Sequence, residues 1–394
     1  MLLHTFYEGL EIHRDDKLVY GRFLKPHTVL STSRCQGGLR GDLLYLCNHQ
    51  SCEAGSHSSD KAKLVLTDPD GYQAMILSPK GLPPEKCALL GTAANMRLLT
   101  VKSASFEELT VVVAVTGGVE TNAARAGDPA MGHEGPDGYK PVSEFEPKKE
   151  KDPDHGTINI MVFVNRPLAP GAMVRGVSMI TEAKTCALQE LGVNSRYSPL
   201  PASGTGTDQI GLAAMNIEGV KCLTGGGHHI KLGELMGRTV LAAVKEVLIR
   251  QNGMTPDRQC SVKIHLERFN KRADGRCKMT SLDLVGLISQ YLSPENRELL
   301  GNNYLAFFHD PWVVAATAAL VHLKDKFTWD ILPILLWPEI MGAFGGQLAA
   351  AVSGRTDKVS EYSAVLAPLP CNSSDSDFLN LAAKALALGL ADKW

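Results

Sequence analysis

Residues 157–165 read TINIMVFVN, and this run decides the fold. Alternation puts Ile158, Ile160, Val162 and Val164 on one face of a strand and Thr157, Asn159, Met161, Phe163 and Asn165 on the other. Pro167, Pro170 and Gly171 end the extended segment. Upstream, residues 110–115 (TVVVAV) form an apolar, β-branched run closed by Gly117-Gly118, the pattern of a buried strand. Downstream, a helix is expected over 172–191, with Met173, Val177, Ile180, Ala187, Leu188 and Leu191 in one stripe. Lys184 falls inside that stripe. The small-residue loop 203–208 (SGTGTD) leads into an apolar strand at 210–215. Gly225–Gly227 and His228-His229 precede an amphipathic helix at 231–250, on which Gly233 and Gly237 permit close packing against a neighbour. Strands thus alternate with helices, which gives an α/β fold of mixed α+β layers with helices packed on a central sheet.

Further out the pattern changes. Residues 10–23 (LEIHRDDKLVYGRF) read as a hairpin around Asp15-Asp16, and 31–41 as loop. Residues 62–77 read as strand–turn–strand about Asp68-Pro69-Asp70-Gly71, and Pro83-Pro84 opens a helix expected at 85–98. Residues 128–155 show no periodicity and read as a mobile surface loop. The run 251–256 (QNGMTP) ends the first region, so the chain divides into 1–252 and a mainly helical 253–394, with helices expected at 280–292, 311–325, 339–353 and 376–391.

Composition narrows the function. The chain has 394 residues, which exceeds what one hydrophobic core usually fills and implies two domains. Its 40 Lys+Arg against 42 Asp+Glu leave a net charge of -2, without the positive excess that nucleic-acid backbones require. No unbroken apolar run reaches the roughly 18–20 residues that span a bilayer, since 332–352 carries Pro333, Pro338 and Glu339, so membrane insertion is not expected. The first sixteen residues have no basic start and no sustained apolar segment, and the cysteine count is odd at nine. The expectation is a cytoplasmic protein with reduced thiols.

Each polar cluster has a functional and a bland reading. Residues 116–128 (TGGVETNAARAGD) follow a buried strand, and Asn122, Arg125 and Asp128 suit ligand contacts there, or a turn with a local ion pair. His155 titrates near neutrality and suits proton transfer, or is a solvated loop histidine. Lys184 in an apolar stripe needs a carboxylate, a ligand oxygen or an escape to water. Glu182 lies on the opposite side of the helix and reaches the same site only if the helix is covered on both faces. The loop 203–208 offers hydroxyls and backbone N–H groups for an oxyanion, without phosphate-loop spacing. His228, at a loop-to-helix junction, suits an acid or base; the spacing there is not that of a zinc motif. Cys47, His49, Cys52 and His57 also lack paired metal-ligand spacing, so no metal site is expected.

Eight stretches together carry a resemblance: LSTSRCQGG (30–38), LLGTAANM (89–96), VTGGVETNAARAGD (115–128), HGTINIMVFVN (155–165), TEAKTCALQELGV (181–193), SRYS (195–198), SGTGTDQI (203–210) and GGHHIKLGELMGR (226–238). In this order they resemble the CbiZ-type adenosylcobinamide amidohydrolases, over residues 5–250. The resemblance implies hydrolysis of the amide that links aminopropanol to a corrin-ring side chain, giving adenosylcobyric acid. The cobalt-containing corrinoid is then substrate and no other cofactor is implied. On this reading Asp208 or His155 activates water and His228 protonates the amine. The backbone around Gly204–Thr207, which includes Thr205 and Thr207, with Asn159 or Lys184, faces the oxyanion. Asn122, Arg125 and Glu182 position the substrate. The alternatives are a non-enzymatic corrinoid-binding protein and a metal-dependent hydrolase of another amide. For 253–394, homodimerisation, capping of the site and contact with a corrinoid transporter all stay open.

Overall fold

In a computed structural model of the chain, the described residues are 1–51, 64, 67–136, 138–142, 156–367 and 374–394. They form two compact units. The first takes the described residues of Met1–Ala126, Lys148–Val193 and Ala202–Met254; the second takes those of Gly127–Pro147, Asn194–Pro201 and Thr255–Trp394. A single cut at 252/253 therefore does not separate them, because two excursions from the front of the chain belong to the second unit.

The strands in chain order are β1 (Leu2–Phe6), β2 (Leu10–Asp15), β3 (Leu18–Phe23), β4 (His27–Ser31), β5 (Gly38–Arg40), β6 (Tyr45–Gln50), β7 (Cys87–Thr92), β8 (Thr100–Phe106), β9 (Leu109–Gly118), β10 (Ala123–Ala124), β11 (Gly132–Gly135), β12 (Gly138–Pro141), β13 (Thr157–Val164), β14 (Gly204–Thr205) and β15 (Gln209–Met215). The first unit holds two main sheets, ordered β1-β2-β3-β6-β7 and β5-β4-β15-β13-β9-β8. β13 lies at the centre of the second, antiparallel to β9 and parallel to β15. The Pro170–Glu190 helix makes the crossover that a parallel pair requires.

β13 is buried along its whole length, and its two faces serve two cores. Ile158, Ile160, Val162 and Val164 pack with Ile180 and Leu188 of the crossover helix and with Val244 and Leu248 of the Lys231–Asn252 helix. Met161 and Phe163 face the first sheet, among Leu10, Ile12, Leu46 and Leu90. Burying a side chain such as Phe163 contributes about 1.5–3 kcal/mol. The sheets approach closely at Gly21, where an added Cβ would lie 2.6 Å from the Phe163 ring. The outer face of the first sheet packs Leu18, Cys47 and Leu89 against Tyr72 and Leu77 of the Pro69–Leu77 helix. The mixed α/β reading holds, with a second sheet stacked where one central sheet is expected.

Local readings fare unevenly. The 10–23 hairpin forms, with Asp16 at φ 51 in its turn. Asp68-Pro69-Asp70-Gly71 does not make a strand turn. Asp68 caps a helix by accepting from the Gly71 N–H, with Pro69 in the first turn. Residues 87–92 are strand β7, not helix: Pro84–Lys86 makes one 3-10 turn, and parallel pairing with β6 overrides the helix preference of Ala-Leu-Leu. Within 128–155 the described residues include the β11–β12 hairpin.

His27 is fully buried, stacked on Phe23 at 4.3 Å, with Nδ1 2.7 Å from the Lys25 carbonyl. Burial pushes its imidazole down from 6.5 to about 4, against the opposing effect of that carbonyl.

The second unit is mainly helical. Its core joins Leu284, Leu300, Val313, Leu320, Met341, Leu348, Phe378 and Leu386. The helices include Pro311–Thr328, Trp337–Ser353 and Asp375–Lys393, and one that the sequence reading omits, Pro294–Phe308. Arg268 holds both oxygens of Asp325, at 2.8 and 2.7 Å, with both side chains buried. Ile334–Ser353 is long and apolar enough to cross a membrane by length and composition; Pro333 precedes it, and Pro338 falls in the first turn of the Trp337–Ser353 helix, where proline is tolerated. Its Met341, Leu348 and Val352 are core residues of this unit.

Candidate active site

β9, β13 and β15 bring their polar ends together at one end of the first unit. Thr157 pairs with Gly118, and Asn159 lies between Thr116 and Gln209. The ends of β6 and β7 join them from the other sheet. Asn159 Nδ2 donates to Asn48 Oδ1 and to the Gly91 carbonyl, each at 2.9 Å. Asn48 Nδ2 donates to Thr116 Oγ1 at 2.7 Å, and Gly91 N–H donates to Gln209 Oε1 at 2.8 Å. Asn48 and Asn159 are fully buried, so these bonds stand in for lost water. Asn159 Oδ1 receives none from the described residues.

The crossover helix delivers Lys184 to the same end. Its ammonium pairs with Asp208 Oδ2, with both side chains about nine-tenths buried. Asp208 is held from several directions. Ile158 N–H donates to Oδ1 at 2.8 Å, Thr205 N–H to Oδ2 at 2.9 Å, and the Thr205 hydroxyl to Oδ1 at 2.5 Å. With Lys184 these fill the roughly four acceptor positions of a carboxylate. Lys184 spends one donor on Asp208, and its other two find no acceptor among the described residues. Gly204 is required here, because an added Cβ would lie 2.6 Å from Asp208 Oδ2 and 2.7 Å from Lys184 Nζ.

Beside the pair sits a cluster of hydroxyl and amide groups. Thr207 and Thr157 hydroxyls are 2.5 Å apart, and the Thr207 hydroxyl donates to the Gly156 carbonyl at 3.0 Å. Asn122 Nδ2 donates to the same carbonyl at 3.0 Å. The bond from β10 to β14 fixes the segment carrying Asn122 against the 203–208 loop, and Arg125 follows β10 directly. Thr207 is exposed, which opens the cluster to solvent.

Lys184, Asp208, Asn122, Asn159, Thr205 and Thr207 are therefore gathered at this end. Glu182 and His228 are not. His228 Nε2 lies 2.8 Å from Glu182 Oε2, on exposed side chains. Glu182 projects about 200° around the helix from Lys184. The helix that follows His228 begins at the far end of the sheet, where Lys231 lies over the Phe106 ring, and finishes at the near end, where Asn252 accepts from Val119 N–H. His155 lies outside the described residues, as do Cys52 and His57. Asp128 and the 195–198 segment belong to the second unit, where the Ser195 hydroxyl donates to Asp128 Oδ2 at 2.6 Å.

Sequence reasoning passes over Asn48, Thr116, Thr157 and Gln209. Asn48 carries one available signal, a polar residue in the otherwise apolar alternation of 45–48. His49 bonds the Tyr72 hydroxyl at 2.8 Å and Cys47 is fully buried. Among the described residues no three His, Cys, Asp or Glu side chains converge as metal ligands would.

The chain is 40% identical over 182 residues to an uncharacterized protein of Methanocaldococcus jannaschii, covering 46% of this chain and 70% of that protein. A family model for adenosylcobinamide amidohydrolase, CbiZ, matches residues 3–256, a span that contains every residue gathered at the site. The chain belongs to the CbiZ, adenosylcobinamide amidohydrolase, family.

Proposed function

We propose that the polar end of the first unit hydrolyses the amide between aminopropanol and the corrin side chain of adenosylcobinamide, releasing aminopropanol and adenosylcobyric acid. Family membership supports the reaction class. The observation that carries the assignment of the site is the nearly buried Lys184 ammonium, anchored by Asp208 and with two donors that find no acceptor among the described residues.

Amide hydrolysis needs a polarised carbonyl, a water that loses a proton as it adds, and a proton for the departing amine. On this reading Lys184 faces the oxygen that becomes negative. Asp208, with its acceptor positions filled, orients Lys184 rather than taking a proton from water. That passes the role of base to His155, which directly precedes Gly156 in sequence. Thr157, Thr207 and Asn122 position the substrate amide and the attacking water. Water oxygen bonds to the carbonyl carbon, its proton goes to the base, and the C–N bond breaks as the protonated base passes that proton to the departing amine. On this reading His228, paired with Glu182 on exposed side chains, takes no part in these steps.

The test is incubation of the protein with adenosylcobinamide and detection of adenosylcobyric acid by mass. The Lys184→Met variant is run in parallel and is expected to form little product. Product formation by that variant at the wild-type rate overturns the assignment of the site. Asp208's filled acceptors also favour a second reading, corrinoid binding without hydrolysis; tight binding with no aminopropanol release would select it.

A further inference from the structure

Four carboxamide side chains at the same end share one arrangement. Asn95 Oδ1 accepts from Arg97 N–H at 2.9 Å, Gln251 Oε1 from Asn95 N–H at 3.3 Å, Asn252 Oδ1 from Val119 N–H at 3.1 Å, and Gln209 Oε1 from Gly91 N–H at 2.8 Å. Each oxygen is tied to a backbone donor, which fixes which way the amide faces. Their NH2 groups have no acceptor among the described residues. Asn95, Gln251 and Asn252 are neighbours in space, and Gln209 is tied to Gly91, four residues before Asn95, at the same end. Gln251 reaches the Asn95 backbone, the Gly118 turn runs beside Gln251 and Asn252, and Gly118 pairs with Thr157 of the hydroxyl cluster. None is fully buried, so the donors face accessible space.

We infer that Asn95, Gln209, Gln251 and Asn252 form a donor array that binds carbonyl oxygens of a neutral, carboxamide-bearing ligand. This deepens the proposed function and rests on it, because corrin rings carry several carboxamides around their rim besides the one that is cut. Neutral N–H pairs suit amide oxygens, which need a donor but no counter-charge. Anchoring each amide by its oxygen leaves little side-chain freedom to lose on binding. The array sets the ring's register, so that one particular side-chain amide reaches Lys184.

Gln251→Glu, Asn252→Asp and Asn95→Asp keep the anchoring oxygen and remove the NH2 donors. Binding is measured by absorbance titration with adenosylcobinamide, alongside turnover and melting temperature. Each variant is expected to melt near the wild type and to bind on the order of 10-fold more weakly, as the loss of one or two hydrogen bonds implies. The weakening should persist at about 0.5 M salt, where long-range charge repulsion is screened. Gln251→Met, which loses the anchor too, should melt lower as well as bind more weakly. Wild-type affinity in all three acidic variants overturns the array, as does failure of the wild type to bind the corrinoid. Binding by the wild type without turnover overturns the hydrolytic reading alone and leaves the array supported if the variants weaken.

Discussion

Glu182 and Lys184 stand two residues apart on one helix, yet their side chains leave it on opposite sides. Lys184 goes to a nearly buried pair with Asp208, and Glu182 to an exposed contact with His228. Two positions differ by about 200° on a helix, so this separation is a matter of geometry. The consequence for turnover is direct: His228→Ala and Glu182→Gln should each keep adenosylcobinamide hydrolysis within about twofold of the wild type, since exposed pairs contribute little. A large loss in His228→Ala would restore that histidine to the reaction.

The buried pair should behave in the opposite way. Lys184→Met leaves the Asp208 carboxylate nearly buried without its ammonium, a change that typically costs about 3–5 kcal/mol. Asp208→Asn strands the ammonium. A double-mutant cycle by urea denaturation should show strong coupling between the two sites, with the double variant less destabilised than the two single losses summed. Additive losses would mean that the two side chains do not depend on each other.

Gly204→Ala tests the same pair from the backbone side. The added methyl would meet both charged atoms at under 3 Å, and Asp208 is held from three other directions, so the lysine is the partner that moves. We expect a stability loss of about 1–3 kcal/mol and a larger proportional loss of turnover, measured together on the purified variant.

His27 gives a pH signature unrelated to the site. Its imidazole is held neutral in the folded protein down to about 4, whereas the unfolded chain takes up the proton near 6.5. Between these values the unfolded state binds more protons. His27 therefore lowers stability as pH falls through that window, by up to about 3 kcal/mol, and contributes no such loss above it. The difference in urea midpoint between pH 7.5 and 4.5 should shrink in His27→Gln relative to the wild type; an unchanged difference would contradict this account.

Much of the frame is legible in the sequence because one strand announces it. The alternation in 157–164 sorts its residues onto the two faces that the structure shows, and Lys184 in an apolar stripe calls for an oxygen partner, which Asp208 supplies. What escapes is set by distant pairing. β7 reads as helix because Pro83-Pro84 looks like a helix start, and only its alignment with β6 makes it a strand. Asn48 and Gln209 look ordinary until two sheets stack and leave their polar atoms facing one another. Gln251 and Asn252 look like linker, since Gly253, at φ 64, does end the helix there. Their role depends on where that helix end arrives.

β15 sits between β4 and β13, and Thr32 bonds Ile210, 178 positions further along the chain. The central strand of the second sheet is thus among the last of that unit to leave the ribosome. Until it does, β4 and β13 each expose an unsatisfied edge, and such edges invite association between nascent chains. Chains interrupted just before β15 should collect in inclusion bodies or on chaperones, while those extended through the Lys231–Asn252 helix should stay dispersed.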